Sequence, residues 1–285
     1  MSVLMIKRNI KKRANGFFSN FSFDGEKRNE LSDDERRVYF LTSGTLTVKS
    51  PVVVDVFLVG GGGSGSGASS GIINYAGGGG GGGYTLVAND IELRAGETYP
   101  IVIGDGGVKG YILGGDGGST SAFGYTADGG KGGGLLEEND DGTTTYRIYY
   151  GGAGGSGGGA GAELSSPYGW EGGELGSDGR EYRHPNYPNY NTGIGGKGQG
   201  RSTAIFENNE HGPYFAGGGS GGSSTPAIVA GSLGGGGDSG ENGEPNTGGG
   251  GGGITKVRMS DGSTATVGPG KGGSGVVVIR LKRWL

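Results

Sequence analysis

The chain has 285 residues, of which 76 are Gly, 9 are Pro and none is Cys, and its formal net charge is −4. These values exclude a disulfide framework and thiolate metal sites, and they imply no bulk electrostatic attraction to nucleic acid. Collagen is excluded as well, because Gly does not recur at every third position.

Low-complexity disorder competes with any fold here, because Gly loses more backbone freedom on ordering than other residues do. The Gly runs alternate, however, with short segments of β-branched and aromatic residues, and the chain carries 14 Tyr and 9 Phe. Such residues favour strands and are scarce in disordered chains. We therefore expect an ordered protein that is mainly β and irregular.

Residues 1–50 form the first predicted region, since they contain only three glycines, Gly16, Gly25 and Gly44. Basic residues and an aromatic cluster open the region, and the attachment candidates among them are Lys7, Arg8, Lys11, Lys12, Arg13, Phe17 and Phe18. The basic stretch indicates either an anchor on an acidic partner or nucleic acid, or a solvated chain end. A charged stretch, 24–37, precedes two predicted strands, 38–41 and 45–48. We interpret 1–50 as a β-rich attachment region.

The second predicted region, 51–285, alternates strands with Gly runs. Strands are predicted at 52–59 and 276–279, and 84–93 with 98–103 is predicted as a strand pair around Ala95-Gly96-Glu97. Hairpins are predicted at 135–150 and 254–267, with turns at Asp141-Gly142 and Asp261-Gly262. No segment shows a helical period with caps, so we expect essentially no α-helix.

The Gly runs, including seven consecutive residues at 77–83, predict a lattice of packed polyglycine II helices. Such a helix has three residues per turn and no internal hydrogen bonds. Several packed side by side can pair their N–H and C=O groups laterally, because hydrogen atoms replace the side chains. A side chain inside a run, as in Gly80→Val, should therefore destabilise the fold strongly.

The order of several blocks resembles a known family. These blocks are the strand and glycines of 54–63, the run 77–83 with Tyr84-Thr85, the segments 95–104 and 114–124, and the closing segment 272–280. Together they resemble the glycine-rich domain of bacteriophage tail-fibre and tail-tip proteins, which are receptor-binding adhesins. The resemblance implies polyglycine II helices flanked by β-structure, with the loops that link the helices forming the receptor-binding tip.

The insert 163–191 is the main candidate for recognition, because it is rich in Tyr, Trp and Asn. Such residues give binding surfaces large contact area and adaptable hydrogen bonds. Receptor-binding candidates in the insert and in a second segment, 206–215, are Tyr168, Trp170, Tyr182, His184, Tyr187, Tyr190, Tyr214 and Phe215. The alternative is that these aromatics form a satellite core or a subunit contact. A third segment, 111–113, is a loop with exposed apolar character, for which the sequence favours packing over binding.

Enzyme and cofactor chemistry finds little support in the residues. A loose G-x-G-x-x-G/A match at 60–68 lacks the following helix that a dinucleotide site requires. No nucleophile, base and orienter can be named together, so we predict no enzyme, no cofactor and no metal site. No stretch reaches the about 20 apolar residues that span a bilayer, and no signal peptide is visible. Synthesis in a host cytoplasm and no membrane insertion are therefore expected.

The sequence thus predicts a phage virion structural protein, a tail-fibre or tail-tip component that binds a host surface protein or glycan. Residues 1–50 are expected to contact other virion proteins, and a homo-oligomer is compatible with the sequence. The alternative is a capsid or tail decoration or assembly protein without a receptor role.

Overall fold

A computed structural model describes residues 16–32, 35–67, 76–139, 145–161, 170–171, 203–207, 213–224 and 226–284. The strands in chain order are β1 (Phe21–Phe23), β2 (Lys27–Ser32), β3 (Glu35–Phe40), β4 (Gly44–Val48), β5 (Val52–Val59), β6 (Thr85–Leu93), β7 (Thr98–Val102), β8 (Thr120–Ala122), β9 (Tyr125–Ala127), β10 (Gly134–Asn139), β11 (Thr145–Tyr150), β12 (Trp170–Glu171), β13 (Thr203–Ala204), β14 (Tyr214–Phe215), β15 (Thr255–Arg258), β16 (Thr264–Val267) and β17 (Val276–Trp284). Helix in the described residues is limited to 16–19 and the 3₁₀ turn Ile205–Glu207. The predicted mainly β fold with essentially no α-helix is confirmed.

A central antiparallel sheet has the strand order β2-β3-β17-β5-β6. Strand β5 lies inside it, and every residue from Val52 to Val59 is buried. A buried run of this kind, apolar except for Asp55, is typical of a strand that is covered on both faces. The central sheet is therefore the middle layer of the fold.

An outer sheet with the order β1-β4-β7-β8-β9 covers one face of the central sheet. The larger hydrophobic core lies between the two sheets and includes Phe17, Leu46 and Ile101 from the outer side. A second core covers the opposite face, where Phe206 and Phe215 pack on Phe57 with ring centroids 5.9 and 5.4 Å away. Both faces of β5 are thus buried by elements that are distant in sequence.

The strand pairing departs from the sequence prediction at two places. Strands β6 and β7 were expected to pair, but β6 pairs with β5 in the central sheet and β7 pairs with β4 in the outer sheet. The turn at Gly96, with φ of +78°, therefore carries the chain from one sheet to the other. Strand β2 forms in the charged stretch, for which no strand was predicted.

The hairpins β10–β11 and β15–β16 form with antiparallel pairing, as predicted, and Gly262 in the second turn has a φ of +83°. The turn predicted at Asp141-Gly142 lies outside the described residues. The boundary predicted at residue 50 follows a change in composition, and sheet pairing crosses it. Strands β3 and β4 precede it, yet they pair with β17 and β7 from the rest of the chain.

The strands continue into a set of Gly-rich runs, which we call the glycine block: 60–67, 76–84, 104–119, 128–133, 151–161, 216–222, 236–240, 248–254 and 268–275. The run 76–84 lies at its centre and shows a repeat of three residues. Its N–H groups donate in rotation to three neighbouring runs over 2.8–2.9 Å: Gly79 and Gly82 to 156–159, Gly80 and Gly83 to 248–251, Gly81 and Tyr84 to 128–131.

The carbonyl groups of the same run accept in the same rotation from three further segments. Donors come from 60–66, from 152–155 and from 219–222. Since 152–155 and 156–159 are two segments of one run, the run 76–84 is surrounded by six segments from five runs, and all its described backbone–backbone bonds point sideways. A repeat of three residues with lateral bonding is the pattern of a polyglycine II helix, so the predicted lattice is confirmed.

Close packing in the block leaves no room for most side chains. A Cβ on Gly80 would lie 2.1 Å from the carbonyl oxygen of Gly63, and one on Gly78 would lie 1.7 Å from that of Tyr150. The exceptions include buried serines whose hydroxyl groups join the backbone network. Ser64 Oγ, for example, donates to the Val108 carbonyl over 2.7 Å and accepts from Gly115 N–H over 2.9 Å.

Candidate binding surface at the loop end

The glycine block has two ends, which the hydrogen bonds between its runs identify. At one end, Gly60 N–H donates to Tyr84 O over 2.9 Å and Gly275 N–H donates to Gly104 O over 2.9 Å. Gly60, Tyr84 and Gly275 adjoin β5, β6 and β17, so we call this the strand end. At the other, Ser66 N–H donates to Gly78 O over 2.9 Å and Ile254 N–H donates to Ser66 O over 3.0 Å.

We call this second end the loop end, because the connections between runs emerge there. Gly110 accepts from Gly67 N–H over 3.0 Å, which places the connection 109–113 at this level. The hairpin β15–β16 follows Ile254 directly, and residues 226–228 lie beside its base, where Ala227 N–H donates to Lys256 O over 3.2 Å. The hairpin β10–β11 leaves the block after Gly133, whose N–H donates to Ser64 O over 2.9 Å.

The connection at 108–113 exposes an apolar surface. The exposed fractions are 67% for Val108, 81% for Tyr111, 45% for Ile112 and 57% for Leu113. The exposed apolar character expected for the loop 111–113 is therefore present in the structure. We call residues 108–113 the apolar loop.

The base of the apolar loop is held rigidly by the block. Ser64 Oγ bonds the Val108 carbonyl, and Gly114 N–H donates to Gly133 O over 2.7 Å. An exposed apolar segment on a rigid support is a favourable arrangement for binding, because less motion is lost when a partner is contacted.

Two further hydrophobic side chains are exposed at the loop end. Ile228 has an exposed fraction of 67%, and Met259, at the tip of the hairpin β15–β16, has one of 48%. The hairpin turn is ordered by Asp261, which accepts from both the N–H and the hydroxyl group of Ser263, and these bonds lower the pKa of Asp261. Lys109 and Arg258 are exposed beside the apolar residues.

The receptor-binding candidates from the sequence separate into three groups. Trp170 lies in β12, whose backbone pairs with Tyr149 of β11 at the loop end. Phe215 is buried against Phe57 at the strand end, so its side chain belongs to the second core, and Tyr214 beside it is half-buried. The remaining candidates lie outside the described residues: Tyr168, Tyr182, His184, Tyr187 and Tyr190.

The attachment candidates divide in a similar way. Phe17 is fully buried in the larger core, and its ring meets that of Phe21 at 5.0 Å. An attachment surface therefore cannot use the Phe17 side chain in this fold, while Phe18 is half-buried against the same core. The basic candidates lie outside the described residues: Lys7, Arg8, Lys11, Lys12 and Arg13.

A buried ion cluster stabilises the strand end. Asp55, fully buried at a bulge in β5, accepts from Arg280 of β17 over 2.8 Å and from Asp90 N–H over 3.1 Å. Burial alone would raise the pKa of Asp55, but the bonds and charges of Arg280 and Lys282 outweigh it and lower the pKa. Arg280 also lies 4.3 Å above the ring of Phe206. The cluster thus links β5 and β17 of the central sheet to Phe206 of the second core.

The described residues show no metal or membrane-spanning feature. Within them, no three His, Asp or Glu side chains come together in a way that could hold a metal ion. No helix in the same part of the chain is long and apolar enough to cross a bilayer.

The exposed apolar character of 111–113 was expected from the sequence, but the loop was not selected for binding, because its composition, Tyr-Ile-Leu between Gly residues, is also typical of core segments. The sequence feature that indicates exposure is the position of the loop between two Gly runs, since a connection between polyglycine II helices has no hydrophobic core beside it. The structure adds that this end of the block gathers several such connections.

The fold defines a class of protein in which a two-sheet β-sandwich continues into a hydrogen-bonded block of polyglycine II helices. A family model described as a glycine-rich domain matches residues 41–282, and the chain therefore belongs to this family. No curated protein matches the chain.

Proposed function

We propose that the chain is a bacteriophage virion structural protein, a tail-fibre or tail-tip component that contacts the host cell surface through its loop end. The observation that carries the proposal is the concentration of exposed hydrophobic residues at that end. Large hydrophobic side chains exposed there are Val108, Tyr111, Ile112, Leu113, Ile228 and Met259.

The remaining exposed hydrophobic residues of the described chain are scattered over the strand end. They are Leu31, Val102, Tyr125 and Leu233, which lie on different elements. Scattered hydrophobic residues are normal on protein surfaces, whereas a contiguous group on loops favours a binding role. This contrast supports the loop end as the contact surface.

The phage assignment rests on the resemblance of the block order to tail-fibre and tail-tip adhesins, and membership of the glycine-rich family agrees with it. The predicted recognition insert 163–191 adds support, because β12 within it pairs at the loop end. Aromatic residues of the insert and the apolar loop would then act on one surface. Attachment to the particle would use the opposite end, where residues 16–48 are built into the sheets.

The test is binding of the fluorescently labelled chain to host cells, in competition with phage adsorption. The double variant Tyr111→Ala, Leu113→Ser should bind at least about tenfold more weakly, since each buried side chain contributes about 1.5–3 kcal/mol. Its melting temperature should stay unchanged, because both residues are exposed in the free protein. The control is Val102→Ser, which removes an exposed apolar side chain from the outer sheet.

Equal binding by the double variant and the control would remove the apolar loop from the contact surface. Incorporation of the chain into particles without any cell binding would favour the decoration or assembly role. Release of reducing sugar from host polysaccharide would instead favour an enzyme.

A further inference from the structure

A groove at the strand end is separate from the apolar loop and borders the larger core, against which Ile91, Tyr99 and Phe123 of its lining pack. It lies where the edge strand β6 of the central sheet meets β7, β8 and β9 of the outer sheet, and its volume is about 430 Å³. This volume is in the range of sites for small molecules. Nothing in the proposed function uses it.

Aromatic rings form one wall of the groove. Tyr99 and Phe123 meet with ring centroids 5.4 Å apart at an interplanar angle of 57°, and Tyr125 on β9 has an exposed fraction of 38%. The Tyr99 ring is fixed in place, because its hydroxyl group donates to Glu97 over 2.7 Å and accepts from Arg94 N–H over 3.0 Å. The wall is therefore preformed.

The backbone at Phe123 is unfavourable for the residue that occupies it. Phe123 has a φ of 54° and Gly124 one of 84°, at the turn between β8 and β9. A two-residue hairpin turn with both φ values positive prefers Asn-Gly, because a Cβ is strained in the left-handed region. Strain retained beside a groove points to a use for the ring itself.

Three polar side chains of the same groove are open to a ligand. The carboxylate of Glu92 and the hydroxyl groups of Ser121 and Thr126 make no side-chain hydrogen bond or ion pair with other described residues. The lining contains one carboxylate and no Lys, Arg or His. An anionic ligand is therefore disfavoured, and a ligand that donates hydrogen bonds is favoured.

We propose that this groove binds a neutral saccharide. The C–H face of a sugar ring matches the apolar aromatic wall, and its hydroxyl groups can donate to Glu92 and exchange bonds with Ser121 and Thr126. A protein partner fits less well, because a stable interface needs about 800 Å² on each side. The proposal does not depend on the proposed function, because the groove lies at the strand end of the fold and the apolar loop lies at the loop end.

The experiment is saturation-transfer NMR of the full chain with methyl β-glucoside, methyl β-galactoside, methyl α-mannoside, lactose and diacetylchitobiose, with N-acetylneuraminic acid as the anionic comparison. At least one neutral sugar should bind saturably and more tightly than the anionic one. Phe123→Asn should weaken that binding by about tenfold or more. The variant should still fold, because Asn tolerates a positive φ and this gain offsets part of the packing that the Phe123 ring makes on the larger core. Tyr125→Ala should weaken it as well.

Tyr111→Ala is the matched control, since it removes an exposed aromatic side chain at the loop end and should leave sugar binding unchanged. The same variant weakens host binding if the proposed function holds, so the two proposals fail separately. Absence of saturable binding for every neutral sugar would overturn the inference. Equal affinities of the wild-type chain and the folded Phe123→Asn or Tyr125→Ala variant would overturn it too.

Discussion

The substitution Gly80→Ala adds a single methyl group at the centre of the glycine block. That carbon would lie 2.1 Å from the carbonyl oxygen of Gly63, 2.4 Å from its carbonyl carbon and 2.8 Å from the carbonyl oxygen of Ser64. All three atoms are backbone, so no side chain can rotate away. Ordinary contact begins at 3.4 Å, so the runs 60–67 and 76–84 must separate by about 1 Å.

The cost follows from the bonds that this separation breaks. Three backbone–backbone hydrogen bonds join the two runs, with donors Gly60, Gly63 and Ser66 and lengths of 2.8–2.9 Å. Lengthening by about 1 Å takes each beyond hydrogen-bonding distance, and each buried unpaired group costs about 1–3 kcal/mol. We expect a loss of about 3–9 kcal/mol, comparable with the about 5–15 kcal/mol by which a folded domain is stable.

Thermal and urea unfolding of Gly80→Ala and of a matched control, followed by circular dichroism, measures this loss. The control is Gly268→Ala, because a Cβ there would meet nothing within 4 Å. It should leave the free energy of unfolding unchanged or raise it by up to about 1 kcal/mol, since Ala restricts the unfolded chain. A melting temperature for Gly80→Ala within about 2 °C of the wild type would refute the lattice reasoning.

Two further substitutions test the polar contacts. Asp55→Asn should lower the free energy of unfolding at neutral pH by about 1–3 kcal/mol through loss of charge-assisted bonds. The loss should not be larger, because Arg280 keeps its ion pair with Glu35 at 3.1 Å. The folded pKa of Asp55 lies below its unfolded value of about 3.9, so the stability that its carboxylate contributes is present above that pH and is lost as pH falls through the folded pKa. Acid titration should therefore show a shallower loss of stability in the variant. An acid transition identical to that of the wild type would contradict this. Ser239→Ala should cost about 1–3 kcal/mol in urea unfolding, because Val229 N–H loses its acceptor at 3.0 Å, and an unchanged midpoint would contradict it.

Local patterns in the sequence were sufficient to predict several elements. The apolar run of β5 and the Asp-Gly turn of β15–β16 carry their own signals, and both formed as expected. The polyglycine II geometry was also predictable, because consecutive Gly residues have no side chains to form a core and can pack only through lateral backbone hydrogen bonds. What the sequence could not reveal is which run neighbours which, since Gly runs have no side chains that distinguish one partner from another.

Non-local pairing explains the errors. Strands β6 and β7 are joined by a short turn that favours a hairpin, but β6 pairs with β5 and β7 pairs with β4, and both strands then contribute side chains to the larger core. Phe215 is of a residue type common in binding surfaces, yet in the folded chain its ring packs on that of Phe57.

The side-chain-free interior of the glycine block also shapes how the protein should respond to temperature. Unfolding this interior exposes mostly amide surface, which lowers the heat capacity by about 0.26 cal/K/mol per Å², whereas apolar surface raises it by about 0.45. The apolar cores are confined to the strand end, so the heat-capacity increment per residue should be small. The stability curve is then broad and flat, and the fold should weaken little on cooling.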